Sequence, residues 1–132
     1  MKYIYLYIIL LVIFLVIDLI WLNYIAKDIY QKEIGSLLLK NPKLLPAILF
    51  YSLFIVAIII LAVIPGIEAE SLGKTLLLGA VLGFISYGTY DFTNLATLNN
   101  WSIKVTVIDS IWGTSVTTTM AYLGYIIGSK IL

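Results

Sequence analysis

The sequence predicts an all-α membrane protein, a transmembrane bundle of four helices with both termini on the same side. Of its 132 residues, 62% are hydrophobic and 11% are charged, whereas soluble domains carry about 25% charged residues. Four long apolar segments are each close to the roughly 20 residues that a helix needs to cross the hydrocarbon core. Because the segments are unbroken and lack the alternation of membrane β-barrels, helices are predicted.

The first predicted span covers residues 3–26 and is interrupted only by Asp18 and Asn23. Lys2 followed by an apolar run also fits the start of a signal peptide. The run is too long for one, however, and no small-residue cleavage site follows it. A retained membrane anchor is therefore predicted.

The second predicted span, residues 44–64, carries no charge, and Pro65 and Gly66 are predicted to close it with a turn. Residues 27–43 form the longest connection, and two interpretations of it stay open. Apolar side chains recur there at helical spacing, which favours an amphipathic helix in the membrane interface. The alternative is a continuation of the first helix that ends before Pro42.

The third predicted span covers residues 72–94 and the fourth covers residues 103–127. A short polar loop joins them, and Ser102 is the predicted N-cap of the fourth helix. The second span offers only Tyr51 and Ser52 as polar groups. It is therefore interpreted as a lipid-facing scaffold.

The whole chain, residues 1–132, is predicted to be one integral membrane domain that crosses the cell membrane several times. With four spans, five lysines fall on one side and three on the side of the termini. Positive-inside counting then places the odd-numbered loops in the cytoplasm. The expected partner is the lipid bilayer. No nucleic-acid partner is expected, since the net charge is only +1.

The composition also excludes several kinds of chemistry. The chain has no histidine and no cysteine, which removes zinc sites, haem ligation, thiolate nucleophiles and histidine acid–base catalysis. All eight basic residues are lysines, so bidentate recognition of phosphate by guanidinium groups is absent. No cofactor is predicted.

Three aspartates, Asp18, Asp91 and Asp109, lie inside predicted spans. An aspartate at a helix centre costs about 2.5–3.5 kcal/mol on insertion scales, so each is expected to face the bundle interior. At a rise of 1.5 Å per residue, Asp18 lies about 13 Å from the nearest boundary and Asp109 roughly 7–8 Å. Because the fourth helix runs opposite to the first and third, all three carboxyl groups reach the same half of the membrane. We expect them to converge on one site.

Two of these aspartates begin the same local pattern, D-x-I-W, at Asp18–Trp21 and at Asp109–Trp112. Positions i and i+3 are neighbours on a helix. An indole N–H can donate to a carboxylate while its ring covers the site from lipid. Each aspartate is therefore predicted to have its own tryptophan beside it.

The third helix adds hydrogen-bonding groups, since Tyr87, Asp91 and Asn94 fall on one face at i, i+4 and i+7. A polar pocket inside the membrane is predicted, lined by residues from three of the four spans. Its predicted members are Asp18, Trp21, Tyr87, Asp91, Asn94, Asp109 and Trp112.

Small residues recur at fourth-residue spacing in the third and fourth spans, as Gly79 and Gly83 and as Gly124 and Gly128. Such pairs are typical of close packing between membrane helices. The threonines of the fourth span have two interpretations. Their hydroxyl groups either line the site or bond the carbonyl four residues earlier in their own helix.

The run from Tyr90 to Leu98 (YDFTNLATL), followed by Trp101 and by Asp109–Thr114 (DSIWGT), carries a family resemblance. Together with the early Asp18-x-x-Trp21, it resembles the domain of unknown function 2177 family of bacterial membrane proteins. The resemblance extends over nearly the whole chain. It implies a small four-span protein of the bacterial inner membrane and assigns no activity.

The predicted function is to bind or process a small molecule or a lipid head group in a carboxylate-lined pocket inside the membrane. As an enzyme, it would use one aspartate as a base and a protonated aspartate as an acid. The alternatives are a proton-coupled small-molecule carrier, a non-catalytic subunit whose polar network only holds its fold, and a site for a hard cation. A carrier needs a pathway to both faces of the membrane, whereas a binding protein needs one mouth.

Overall fold

The computed structural model describes all 132 residues. The chain is all-helical, with 87% of its residues in helices and no strand, and the all-α prediction is confirmed. The helices in chain order are α1 Lys2–Ile25, α2 Lys27–Ile34, α3 Leu44–Glu68, α4 Leu72–Thr97 and α5 Ile103–Ile131.

Helix α1 is regular up to its last turn, Trp21–Ile25, which is a π turn. The N–H of Ala26 closes this wider turn on the carbonyl of Trp21 at 2.7 Å, and the chain bends at Ala26. The buried residues of α1 are four apart in sequence, so they lie on one face of the helix, and this face packs against the bundle. They are Leu6, Leu10, Phe14 and Asp18.

The connection after α1 contains a separate helix, as the first of the two interpretations expected. Helix α2 is followed by a single 3₁₀ turn, Gly35–Leu37, and the chain is extended at Leu38. The first helix therefore does not continue to Pro42. Helix α2 packs against α5 and buries Ile34 there, so its apolar side is covered by protein.

The predicted turn at Pro65 and Gly66 is wrong, because α3 continues through both residues to Glu68. A proline inside a regular α-helix clashes with the carbonyl four residues earlier. Here the π turn Ile59–Val63 comes immediately before the proline segment and locally widens the helix, which lets the helix continue. The reversal comes after α3 at Glu70, which has a φ of 51°.

The interpretation of the second span as a lipid-facing scaffold is also wrong. Ile55, Ile58 and Ala62 of α3 are fully buried in the main apolar core. The residues around them come from α1 and α5, including Phe14 and Met120. Lipid tails and a protein core are equally apolar, so a lack of polar residues does not tell one surface from the other.

Helices α4 and α5 form the most extensive interface and run antiparallel. Gly79 lies against Ala121, and a Cβ on Gly83 would come 2.6 Å from the carbonyl oxygen of Gly113. The backbones approach this closely because the glycines lack side chains, as predicted. The second predicted pair packs in the same way, against α1 and the second half of α3: Gly124, Gly128.

Serine N-caps begin both of the last two helices. The Ser102 hydroxyl accepts a hydrogen bond from the N–H of Val105 at 3.1 Å, which confirms the predicted cap. Ser71 does the same for α4 through the N–H of Lys74 at 3.1 Å. Each cap satisfies an N–H group that would otherwise have no partner in the first turn.

Three helices, α1, α3 and α4, are long and apolar enough to cross a membrane. Helix α5 is the longest, with 29 residues, but it is more polar because it carries Lys104, Asp109 and several serines and threonines. Helices α4 and α5 both extend past their predicted ends, to Thr97 and Ile131.

Candidate functional site

A cavity of about 450 Å³ lies where the C-terminal part of α1, the N-terminal part of α3, the C-terminal part of α4 and the N-terminal part of α5 meet. Helix α2 and the segment after it contribute Tyr30, Ile34 and Leu38 to the wall. The main apolar core fills the other half of the bundle, from Leu6 on α1 to Val63 on α3. The buried carboxyl groups, Asp18 and Asp91, are thus at one end of the bundle.

The cavity brings together six of the seven predicted pocket residues: Asp18, Trp21, Tyr87, Asp91, Asp109 and Trp112. The seventh, Asn94, does not line it and is half-buried elsewhere on α4. The reason is helical geometry, since Asn94 follows Asp91 by three residues and is turned about 60° from it around the helix axis.

Asp91 is completely buried, and neither of its carboxyl oxygens has a hydrogen-bond partner. The carboxyl group of Asp109 and the hydroxyl group of Ser110 are its polar neighbours, close enough to share a proton with it, but neither makes a hydrogen bond of regular geometry to it. Buried polar groups in native proteins are nearly always hydrogen-bonded. Two acceptor oxygens at one end of a cavity are therefore available to a donor.

Asp109 is held by a chain of hydrogen bonds that begins on α1. The indole N–H of Trp21 donates to the phenol oxygen of Tyr30 at 3.2 Å, and this phenol donates to Asp109 Oδ1 at 2.9 Å. Burial raises the pKa of Tyr30 above its ordinary value, and the neighbouring Asp109 carboxylate raises it further. Tyr30 therefore keeps its proton at neutral pH and fastens α2 over the site.

Asp18 is held from α3, because the phenol of Tyr51 donates to Asp18 Oδ2 at 2.7 Å. The indole N–H of Trp112 lies close to the same carboxyl group, but outside the geometry of a regular hydrogen bond. Asp18 is 5% exposed, so its contacts are almost entirely with protein and with the cavity.

The predicted pairing of each aspartate with the tryptophan of its own D-x-I-W pattern is wrong. The two indoles instead stack on each other, with centroids 4.2 Å apart and planes 3° apart. Trp112 lies beside Asp18 on α1, and Trp21 reaches Asp109 on α5 through Tyr30. The stack crosses between antiparallel helices, so each indole reaches the carboxyl group of the opposite helix.

Tyr87 covers one side of the cavity and is positioned by a glycine. A Cβ on Gly113 would lie 2.0 Å from the Tyr87 ring, so the ring occupies the space that a side chain there would need. Phe54 of α3 contacts the same ring edge to face, with centroids 6.1 Å apart. These two rings separate the cavity from the apolar core.

The threonines of α5 follow the second interpretation wherever they are bonded. Thr114, Thr118 and Thr119 each donate to the carbonyl four residues earlier, at 2.7–2.8 Å. None of them lines the cavity. Their hydroxyl groups are thus satisfied inside their own helix, which removes their polarity from the surface that faces lipid.

Sequence reasoning missed Tyr30 and Tyr51, the two hydroxyl groups that hold the aspartates, and it missed Ser86 and Tyr90 of the wall. Tyrosine is common at membrane interfaces and in cores, so its presence near a span end gives no signal of a site. A helical spacing signal existed for Ser86 and Tyr90, which flank the predicted Tyr87 and Asp91.

The chemistry of the wall is aromatic and acidic. Of the 17 lining residues, 13 are hydrophobic, the only carboxyl groups belong to three aspartates, and no lysine lines the cavity. The aromatic members are the three tryptophans of the chain, four tyrosines and Phe50. The structure contains no group of three acidic, histidine or cysteine side chains that could hold a metal ion.

The comparisons with known proteins give one match. The sequence model of a family described as "Predicted membrane protein (DUF2177)" matches residues 3–126, which include every helix that lines the cavity. No curated protein and no solved structure matches the chain.

Proposed function

The chain belongs to the DUF2177 family of predicted membrane proteins, and from this premise we propose that it is a four-span membrane protein whose cavity binds a small molecule or a lipid head group. The observation that carries the proposal is Asp91, a fully buried carboxyl group in the cavity wall whose two oxygens accept no hydrogen bond of regular geometry. A carboxyl group retained only to fix helix register would have a protein partner, because an unsatisfied buried group costs free energy.

The fourth span in this proposal is α5, with odd-numbered loops in the cytoplasm and both termini outside. Its length of 29 residues exceeds what the hydrocarbon core requires. Its bonded threonine hydroxyls are satisfied internally, and Asp109 faces the cavity. Polar residues in membrane spans are tolerated when they face the bundle interior in this way. The close antiparallel packing of α5 on α4 also supports insertion of both helices together.

A binding site with one mouth fits the distribution of apolar side chains better than a transport pathway does. Twelve buried apolar residues of α1, α3 and α5 fill the other half of the bundle, and the buried polar side chains outside the cavity end, Thr75 and Thr117, are uncharged. A carrier would need a polar route through this half. This favours binding at one end of the bundle.

The mouth in this proposal opens sideways between α3 and α4. These helices pack on each other through the C-terminal half of α3, Ile59–Glu68. The cavity lies between their other halves, where Phe50 and Tyr90 line it and are also exposed on the outer surface. Such an opening is accessible to lipids and to amphiphilic molecules dissolved in the bilayer.

A cavity-filling substitution tests the proposal. Ala47 lines the cavity on α3, so Ala47→Trp places an indole in the space that the ligand would occupy. Leu53→Trp is the matched control, because Leu53 is on the same helix, is 69% exposed and does not line the cavity. Native mass spectrometry of each protein, released from its native membrane, reports bound molecules.

The wild-type protein and Leu53→Trp are expected to carry the same bound molecule, and Ala47→Trp is expected to lose most of it while still eluting as a folded protein. Two results would overturn the proposal. One is a wild-type protein without any stoichiometric bound molecule. The other is a molecule that Ala47→Trp retains at the wild-type level.

A further inference from the structure

We infer that the ligand of this cavity carries a protonated amine, an ammonium group with N–H donors, which binds at Asp91 and Asp109. The inference rests on the proposed function and names the class of molecule that the same site takes. It depends on three independent features of the wall: its charge, the kind of polar atom left without a partner, and its aromatic composition.

The charge of the wall selects cations. Three carboxyl groups line the cavity, and no lysine does. Asp91 and Asp109 face each other, so two like charges lie side by side unless one carboxyl group keeps a proton or a positive group comes between them. A phosphate or carboxylate at this position would add to the repulsion. A cation removes it.

The unpartnered atoms select a hydrogen-bond donor. Neither oxygen of Asp91 accepts a hydrogen bond of regular geometry, although the hydroxyl group of Ser110 is close by, and Asp91 is completely buried. An ammonium group supplies up to three N–H donors, whereas a quaternary ammonium group supplies none. The buried N–H of Trp112 makes no hydrogen bond of regular geometry, and it suits a hydroxyl or ester oxygen next to the amine.

The size and the rings of the wall select an organic cation over a bare ion. The volume of about 450 Å³ is in the range of cavities that hold small organic molecules. Aromatic rings within about 6 Å attract cations through their faces. Tyr30, Tyr51 and the stacked pair of Trp21 and Trp112 surround the carboxyl groups.

The same chemistry has two sources, a soluble amine or the amine head group of a membrane lipid. The test uses Ser86, a half-buried residue of the cavity wall. The chain contains no cysteine, so Ser86→Cys introduces the single thiol of the protein. The protein is held in nanodiscs of phosphatidylglycerol, which has no amine, and the thiol is modified with methanethiosulfonate reagents.

The first measurement compares a cationic reagent, aminoethyl methanethiosulfonate, with the anionic sulfonatoethyl reagent. We expect the cation-to-anion rate ratio at S86C to exceed by about tenfold the ratio at N99C, an exposed loop position that does not line the cavity. Adding Asp91→Asn to S86C is expected to lower the ratio several-fold. Equal ratios at the two positions would overturn the inference.

The second measurement uses a neutral reagent, methyl methanethiosulfonate, and asks what protects the thiol of S86C. Protection by dissolved ethanolamine, with tetramethylammonium ineffective, supports a soluble amine. Protection only when phosphatidylethanolamine replaces part of the phosphatidylglycerol, with phosphatidylcholine ineffective, supports a lipid head group.

The remaining outcomes contradict the inference in different ways. If tetramethylammonium or phosphatidylcholine protects as well as its amine counterpart, the N–H donors are not recognised. If nothing protects although the neutral reagent reacts readily, the cavity is accessible but does not bind amines, and the proposed function stands without this ligand. If the neutral reagent does not react at all, the cavity is closed and the proposed function fails with it.

Discussion

Single contacts at the glycines decide how closely the helices approach and where the aromatic wall of the cavity stands. Gly113 is the clearest case, because the Tyr87 ring occupies the space next to its Cα. Tyr87 in turn separates the cavity from the apolar core through its contact with Phe54. A packing position on α5 therefore sets the shape of a wall contributed by α4.

Gly113→Ala is expected to destabilise the protein, because its methyl group would lie 2.0 Å from the Tyr87 ring. Overpacking of this kind costs about 1–3 kcal/mol, more than the helix propensity that alanine gains over glycine. Gly88→Ala is the matched control on α4, where a Cβ makes only ordinary contact with Phe92 at 3.7 Å.

Thermal unfolding in detergent checks this pair of variants. Gly113→Ala is expected to unfold at a lower temperature than the wild type, and Gly88→Ala at the same temperature or a slightly higher one. Equal unfolding temperatures for all three proteins would show that Tyr87 moves aside without cost and does not form a fixed wall.

Among the helices, α5 has the largest structural role and the least apolar sequence. It packs on α4 along its length and contacts α1. The N-terminal end of α5 also contacts α2. Its polar side chains are directed inward or bonded within the helix, as Asp109 and Thr114 illustrate. This arrangement hides polarity that the average hydropathy of the segment counts in full.

The proposed insertion of α5 as a fourth span has a direct test in the side on which the chain ends. A reporter that is active only outside the cytoplasm, such as alkaline phosphatase, is fused after Leu132 or inserted at Asn99 in the loop between α4 and α5. The fusion after Leu132 is expected to be active and the insertion at Asn99 inactive, because α5 separates them. Equal activity of both fusion proteins would place both sites on one side and exclude a fourth span.

The elements could be predicted from the sequence to within a few residues wherever apolar runs are long, as in α1 and α4. The irregular segments could not. The π turns before Ala26 and before Pro65 depend on tertiary packing, and no residue pattern indicates them. Pro65 favoured a turn because proline clashes with the carbonyl four residues earlier in a regular helix. The widened π turn before Pro65 removes this clash.

The site could be predicted from residue types that are rare in membrane spans. It could not be predicted from residue types that are common there. Asp18, Asp91 and Asp109 stand out because carboxyl groups are costly in a membrane span. Tyr30 and Tyr51 hold two of these aspartates and do not stand out, because tyrosine is common at span ends. The tryptophan stack was missed because it depends on how two antiparallel helices face each other.

In the molecule as a whole, the apolar core that stabilises the fold and the proposed binding site lie at opposite ends of the bundle. Leu6, Leu10, Ile58 and Met120 are fully buried in the apolar core at one end. Asp91 stands at the other end without a partner. Buried groups that lower stability persist where binding requires them. On this view, Asp91 contributes to ligand binding and costs folding free energy in the empty protein.

The unfolding temperature of ligand-free Asp91→Asn, compared with the wild type, tests this division most directly. Asp28→Asn is the control, because it makes the same chemical change on the exposed face of α2. Removing a buried carboxyl group without partners is expected to raise the unfolding temperature by about 4 °C or more, while Asp28→Asn leaves it unchanged. If Asp91→Asn instead unfolds several degrees below the wild type, Asp91 holds the fold together and the case for a binding site is lost.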